Sequence, residues 1–513
     1  MGRFYVTTPI YYINAEPHLG HTYTTVIVDT LARFHRLRGD RTFMVTGTDE
    51  HGDKIAATAA AAGVSPKAYA DRISPMFRDA WTACGFQFDH FVRTTDPDHE
   101  RLVQEYLSRV HANGDVYFSR YGGLYCTGCE RFLTEKELVD GKCPDHLTVP
   151  TLIEEENYFF RMSKYLDRVV AHLEAHPETI TPERYRNEAL AMLRSGALGD
   201  LCISRPKQRL EWGIELPFDR NYVTYVWFDA LISYVSALKA HGEDTFAAMW
   251  PAAHHVMAKD ILKPHAVYWP TMLMALGLPL FQRLFVHGYW VRGESKMSKS
   301  LGNVIRPLDM KARYGIDALR YFLLREMAFG QDAVFSEDAF VVRVNADLAN
   351  NLGNLVSRTL AMQQRYFNGA VQPLGESTAV DRELVAAFTG AYREVPALTA
   401  ELAFHRALEA LWRAIDYANK YIVTTAPFTL AKDASQRPRV GAILHHLLEA
   451  LRVTALLLTW SLPETSARIF ELLALAPPTT LPADLAWGTH FTAGQRTQPP
   501  VALFPRIEIP PAS

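Results

Sequence analysis

Phe4-Tyr5-Val6-Thr7-Thr8 is a run of aromatic and β-branched residues and predicts a strand. Pro9 and the stretch to Pro17 are expected to end it. Apolar positions then recur from Leu19 through Val26, Val28, Leu31 and Phe34, at the spacing of a helix. Arg41-Thr42-Phe43-Met44-Val45 predicts a second strand, feeding a loop at Asp49–Gly52. Strand, helix, strand is the logic of a parallel, doubly wound sheet. Ligands of such sheets sit at the carboxyl ends of the strands, where the segments Thr8–Tyr12 and Asp49–Gly52 would meet.

The alternation breaks between about 116 and 215, a stretch that holds a cysteine cluster and the polar run Glu154-Glu155-Glu156-Asn157. Sheet-like patterning returns at Val223-Thr224-Tyr225-Val226-Trp227, and His254–Met257 and Leu284–Gly288 predict two more strands. From about residue 340 to 475 the apolar spacing is three and four, which predicts an antiparallel helical bundle. The proline-rich tail from Ala476 is expected to be extended and to pack back on the surface.

Two short strings concentrate groups that bind polyphosphate. His18-Leu19-Gly20-His21 falls where the first helix begins, with both imidazoles on one face. A helix start offers unpaired N–H groups and partial positive charge, and Gly20 would let a flat base approach the backbone. Lys296-Met297-Ser298-Lys299-Ser300 places two mobile ammonium groups near Gly293 and Gly302. Alone, the first string also fits a helix start with incidental histidines, and the second a solvated basic turn. Together, in this order and around a nucleotide-fold pattern, they point to adenylate chemistry.

Five cysteines, an odd number, argue against a disulfide framework. Cys126-x2-Cys129 is followed by Cys143-x2-His146, a Cys3His set at knuckle spacing that suits tetrahedral zinc. Four protein ligands leave no open position, so such a site is structural. The alternative is a group of reduced thiols with a chance histidine.

The two strings resemble the paired signatures of class I aminoacyl-tRNA synthetases. The resemblance narrows to the methionyl-tRNA synthetase family through Tyr5–Tyr12, Thr46-Gly47-Thr48-Asp49-Glu50-His51-Gly52, Tyr225-Val226-Trp227-Phe228-Asp229-Ala230 and Lys259–His265. It covers residues 4 to about 360, and more loosely runs to Ile507. It implies an α/β fold: a Rossmann-type doubly wound parallel catalytic domain, split by a zinc-knuckle insertion and followed by an α-helical bundle. The implied segments are 1–115 and 216–290 for the two catalytic halves and 116–215 for the connective insertion. The lysine loop and linking region take 291–345, the anticodon-binding bundle 346–475, and the tail 476–513.

The implied activity is activation of L-methionine with ATP, followed by transfer to tRNA(Met), initiator tRNA included. His18, His21, Lys296 and Lys299 would be catalytic, and with Gly20, Asp260 and Ser298 would bind ATP, accompanied by Mg2+. Ile10, Tyr12, Asp49, Trp227, Ala230, Leu231, Tyr234, Ile261, His265 and Trp269 match the methionine pocket, with Asp49 holding the ammonium group. Without the resemblance these aromatics would read as core, Asp49 as a loop cap, and Asp260 as the partner of Lys259 or Lys263. Asn354, Arg358 and Phe428 match anticodon-reading positions; Phe428 replaces a tryptophan common in the family. The other readings are a catalytically silent tRNA-binding paralogue and a class I synthetase for another amino acid.

Composition changes this little. A net charge of −3 does not announce a nucleic-acid partner, though a net figure hides local patches. No apolar run reaches membrane-spanning length, and the first strand starts by residue 4, so a cytoplasmic protein with no membrane or DNA partner is expected. The chain stops where an appended dimer-forming domain begins in some relatives, so a monomer is expected. No P-loop string is present.

Overall fold

A computed structural model describes residues 2–126, 131–133, 135, 138–144, 147–292, 295–296 and 305–508. Strand β1 (Arg3–Tyr12), helix α1 (Leu19–Leu37) and strand β2 (Arg41–Asp49) form the first unit. β1 pairs in parallel with β2 on one side and with the strand Ala253–Ala258 on the other. β3 (His90–Arg93) extends the β2 side; Arg283–His287 and then Ile180–Thr181 extend the opposite side. The result is a six-stranded, all-parallel sheet whose order reverses between β1 and Ala253–Ala258. Phe4, Tyr5 and Val6 are all buried, as a strand covered on both faces requires.

Three expectations change. Pro9 does not end β1, which continues to Tyr12 across an irregularity between Thr7 and Ile10; a residue without an N–H is tolerated where the ladder skips. The run Val223–Trp227 divides. Asp219–Thr224 is the middle strand of a small antiparallel sheet with Ser204–Pro206 and Glu215–Leu216, whereas Val226–Ala230 is a short helix. Over so few residues an apolar run carries no decisive period.

Between 116 and 215, Val116–Cys126, Arg131–Leu133, Thr151–Phe160 and Leu201–Cys202 make a four-stranded antiparallel sheet. Ile180–Thr181, in the stretch read from sequence as insertion, is instead the edge strand of the parallel sheet. The helices flanking it, Leu166–Ala175 and Glu183–Arg194, bury Val169, Leu173 and Leu190 in the same cluster as Val45 and Met257. A two-residue strand has no period to read.

The helices from Ile316–Glu326 to Pro463–Leu472 share one apolar cluster with α1, so the bundle and the parallel sheet grow from a common core. Arg437–Leu458 is buried on all sides from Val440 onward and forms the centre of that bundle. After Leu472 the described residues hold no regular helix or strand. Leu481, Trp487, Leu503 and Phe504 pack back on the core. The side chain of Asn345 both donates to Ile507 O and accepts from Ile507 N, each at 2.8 Å.

Candidate active site

At the reversal of strand order, the carboxyl ends of four strands open on a cavity of about 260 Å³. β1 contributes Ile10, Tyr11 and Tyr12, and β2 ends on Asp49. Asp260 and Ile261 follow Ala253–Ala258, and His287 and Gly288 close Arg283–His287. His18, Gly20 and His21 come from the start of α1; Trp227, Ala230, Leu231 and Tyr234 come from the helices Val226–Ala230 and Ser233–Lys239 and the link between them.

The α1 entrance is built by its own histidines. His18 is the N-cap residue, and its Nδ1 accepts the Gly20 N–H at 3.1 Å. Its backbone N–H donates to His21 Nδ1 at 3.4 Å, and the two rings stack 3.7 Å apart. A Cβ on Gly20 would come 3.0 Å from His18 Cε1, so a larger residue there would press on the capping ring. The pair therefore lines the cavity beside the positive end of the helix dipole, a place suited to phosphate.

The opposite wall is aromatic over buried imidazoles. Tyr234 O–H donates to His265 Nε2 at 2.7 Å, while His265 Nδ1–H donates to Ile261 O at 2.9 Å. Burial holds His265 down to about 4, so it is neutral at pH 7. Below it Trp269 Nε1–H donates to His255 Nε2 at 3.2 Å, and His255 Nδ1–H reaches Thr7 Oγ1 at 2.9 Å. His287 repeats the logic on the other side: Nδ1–H donates to Gly288 O at 2.7 Å and Nε2 accepts from Thr24 at 2.8 Å. Burial also holds His287 down to about 4. The indole N–H of Trp227 is buried and has no acceptor among the described residues. That costs about 1–3 kcal/mol, which an acceptor on a ligand can offset.

Asp49 is buried at the end of β2, and the following helix, Asp53–Ala61, starts from Gly52 without a side-chain cap. Asp260 is exposed on a turn at the cavity mouth. Lys259, one of the two lysines beside it in sequence, gives its ammonium to Asp332 at 2.6 Å.

Residues 4–149 and 146–360 match the family model described as tRNA synthetases class I (M). The methionine–tRNA ligase of Caldanaerobacter subterraneus subsp. tengcongensis is 44% identical over 508 residues, which are 99% of this chain and 79% of that protein. That of Deinococcus radiodurans is 44% identical over 513 residues, 99% and 75% of the two chains. The chain belongs to the methionyl-tRNA synthetase family. Among solved structures, Mycobacterium tuberculosis methionyl-tRNA synthetase in complex with methionyl-adenylate superposes with a TM-score of 0.94 at 42% identity, covering 99% of this chain and 100% of that one. Its free-state structure gives a TM-score of 0.86 at 38% identity, covering 99% of each chain.

Of the family pocket positions matched in the sequence, Ile10, Tyr12, Asp49, Trp227, Ala230, Leu231, Tyr234, Ile261 and His265 line the cavity. Trp269 does not; it lies one layer beneath, edge-on to Tyr234 at 6.0 Å. His18, Gly20, His21 and Asp260 line the same cavity. Lys296 pairs through its backbone with Val291 in a hairpin, while Ser298 and Lys299 lie outside the described residues. Ile305, just beyond that loop, accepts the Leu19 N–H at 2.9 Å and so ties the segment to the start of α1.

Sequence reasoning missed Asn14, Thr24, His287, Tyr289 and Trp290, which also line the cavity. The signal for His287 was available, since it ends a strand that the pattern predicts. Asn354 and Arg358 are exposed four residues apart on one helix, and Phe428 is 47% exposed on a separate short helix. Cys126 and Cys143 are buried together with Leu133 in a small cluster, while Cys129 and His146 lie outside the described residues.

Proposed function

We infer that the chain is a methionine–tRNA ligase whose chemistry takes place in this cavity. It activates L-methionine with ATP to methionyl-adenylate and pyrophosphate, then passes methionine to the 3′-terminal adenosine of tRNA(Met). One observation carries this: the α1 histidines, Asp49 and the Trp227–Tyr234 wall meet in a single cavity at the strand-order reversal. The fold around that cavity is shared with a synthetase solved in complex with methionyl-adenylate.

On this reading Asp49 takes the methionine ammonium group and the aromatic wall takes the thioether, a flexible group that packs well on rings. His18, Gly20 and His21 hold the triphosphate, Asp260 accepts from the ribose hydroxyls, and Lys296, Ser298 and Lys299 close over the phosphates. Magnesium accompanies ATP. The methionine carboxylate attacks the α-phosphate in line, and positioning with charge stabilisation lowers the barrier. The neutral His265 and His287 have both ring nitrogens engaged, so they shape the site without moving a proton.

The insertion fits a structural zinc held by Cys126, Cys129, Cys143 and His146. In support, Cys126 and Cys143 are distant in sequence yet share one buried cluster. Asn354, Arg358 and Phe428 present polar and aromatic groups to solvent, as a surface that reads anticodon bases does.

The test is ATP–pyrophosphate exchange with each of the twenty amino acids, without tRNA. Exchange only with methionine is expected. Exchange with another amino acid overturns the pocket assignment, and no exchange by folded, zinc-loaded protein favours the silent tRNA-binding paralogue.

A further inference from the structure

Beside the cavity, and lining none of it, lies a buried carboxylate held between two imidazoles. Asp229 is 1% exposed, His99 1% and His51 3%. His51 Nδ1–H donates to Asp229 Oδ2 and His99 Nε2–H to Asp229 Oδ1, each at 2.7 Å. The other nitrogen of His99 is 2.7 Å from Ser236 Oγ, which fixes the ring. Burial pushes Asp229 up, but His51 and His99 outweigh it and leave the carboxyl below its ordinary value. Burial pulls the His51 imidazole down, yet Asp229, with Glu100 and Glu50, leaves it above its ordinary value. Both shifts favour a charged pair in the dry interior.

The three groups join separate walls of the cavity. His51 stands two residues beyond Asp49, and Asp229 lies between Trp227 and Ala230 on their short helix. Ser236 shares a helix with Tyr234, and His99 belongs to the helix Pro97–Ala112 behind them. The intervening Glu50 is clamped from the opposite side by Arg93, at 2.7 and 2.8 Å, and by Thr95 at 2.6 Å. Trp212 also donates its indole N–H to Glu50 O at 2.5 Å. Hence the loop after Asp49 is gripped on both sides, and its only polar link to the Trp227 helix among the described residues is His51–Asp229. An apolar contact could join these elements at less desolvation cost but would not fix their direction.

We propose that His51, Asp229 and His99 are positioning residues that hold Asp49 and the Trp227–Ala230 helix at a fixed separation, and thereby set methionine affinity. The proposal rests on the assignment of Asp49 and Trp227 to methionine. None of the three touches substrate.

The test compares donor-deleting with donor-keeping variants in methionine-dependent ATP–pyrophosphate exchange. His51→Leu and His99→Leu are expected to raise the methionine KM about tenfold or more, with ATP KM within about twofold and kcat within about threefold. His51→Asn keeps a donor near Nδ1 and His99→Gln keeps one near Nε2, so each should recover most of the loss. Should a leucine variant fail to fold, Asp229→Asn, which keeps the shape and removes the charge, carries the same expected KM split. An unchanged methionine KM, equal rises for methionine and ATP, or no recovery with Asn and Gln overturns the proposal. Wild-type protein that does not exchange with methionine overturns the functional reading instead.

Discussion

Arg320 is the residue whose loss should cost the fold most. It is 1% exposed, and its guanidinium reaches Asp29 Oδ2 at 2.6 Å, Thr30 Oγ1 at 3.2 Å, Ser461 O at 2.7 Å and Trp460 O at 3.0 Å. It thus joins α1, whose N-cap and first turn carry His18 and His21, to the end of the central bundle helix. Replacement by methionine leaves a buried carboxylate short of its main partner and two carbonyls without donors. Breaking a buried ion pair from one side costs about 3–5 kcal/mol. The carbonyls add to this, while the residual bonds of Asp29 to Arg33 (2.8 Å) and to the Gln87 N–H (2.9 Å) subtract. We take about 4 kcal/mol. At a urea slope of about 3 kcal/mol per M or more, as a large core requires, the transition that unfolds this core should move down by up to about 1.3 M. Burial raises the Asp29 carboxyl, but Arg320 and Arg33 outweigh it and hold the group below its ordinary value. A depressed folded value means the stabilisation is present above the ordinary carboxylate range and is lost as pH falls. The gap between wild type and Arg320→Met should therefore be widest near neutrality and narrow on acidification. Tryptophan fluorescence in urea at several pH values measures both. A shift no larger than that of Arg33→Met, whose pair with Asp29 is less buried, or a gap that widens in acid, would refute the reasoning.

Asp49→Asn keeps shape and removes charge; losing a charge-assisted bond of about 1.5–3 kcal/mol should raise the methionine KM by roughly 10- to 100-fold at 1.4 kcal/mol per tenfold, with ATP KM unchanged. A methionine KM within threefold of wild type removes Asp49 from the ammonium site. Phe428→Ala should lower tRNA charging by about 5- to 100-fold, the worth of one stacked base, while exchange is spared; equal loss of both activities refutes the stacking role. Metal analysis of purified protein should find one zinc per chain, and Cys126→Ser should lower it, with loss of the insertion's protease resistance. Zinc content unchanged in that variant excludes Cys126 as a ligand.

What the sequence showed and hid follows the range of the interactions. The start of α1 was legible because a glycine and two histidines three apart at the head of a periodic apolar run are local signals. The strands were legible where they are long and buried, as in β1 and β2, and illegible where two residues suffice, as in Ile180–Thr181. The pocket aromatics could be gathered only through the family pattern, because nothing in their spacing separates a ligand wall from a core. Even so, Trp269 lies a layer below the surface it was expected to line. The polar links were beyond any pattern. His51 meets Asp229 across 178 residues, and Asp29 meets Arg320 across 291, joining elements with different periods and no shared signature. These links fix how α1, the Asp49 loop and the Trp227 helix face one another. In this chain, then, local sequence specifies the α1 end of the cavity, the family pattern specifies most of its aromatic wall, and long-range buried charge ties these parts together. Substitutions at His51, His99 and Asp229 should alter affinity without altering any residue that touches a substrate.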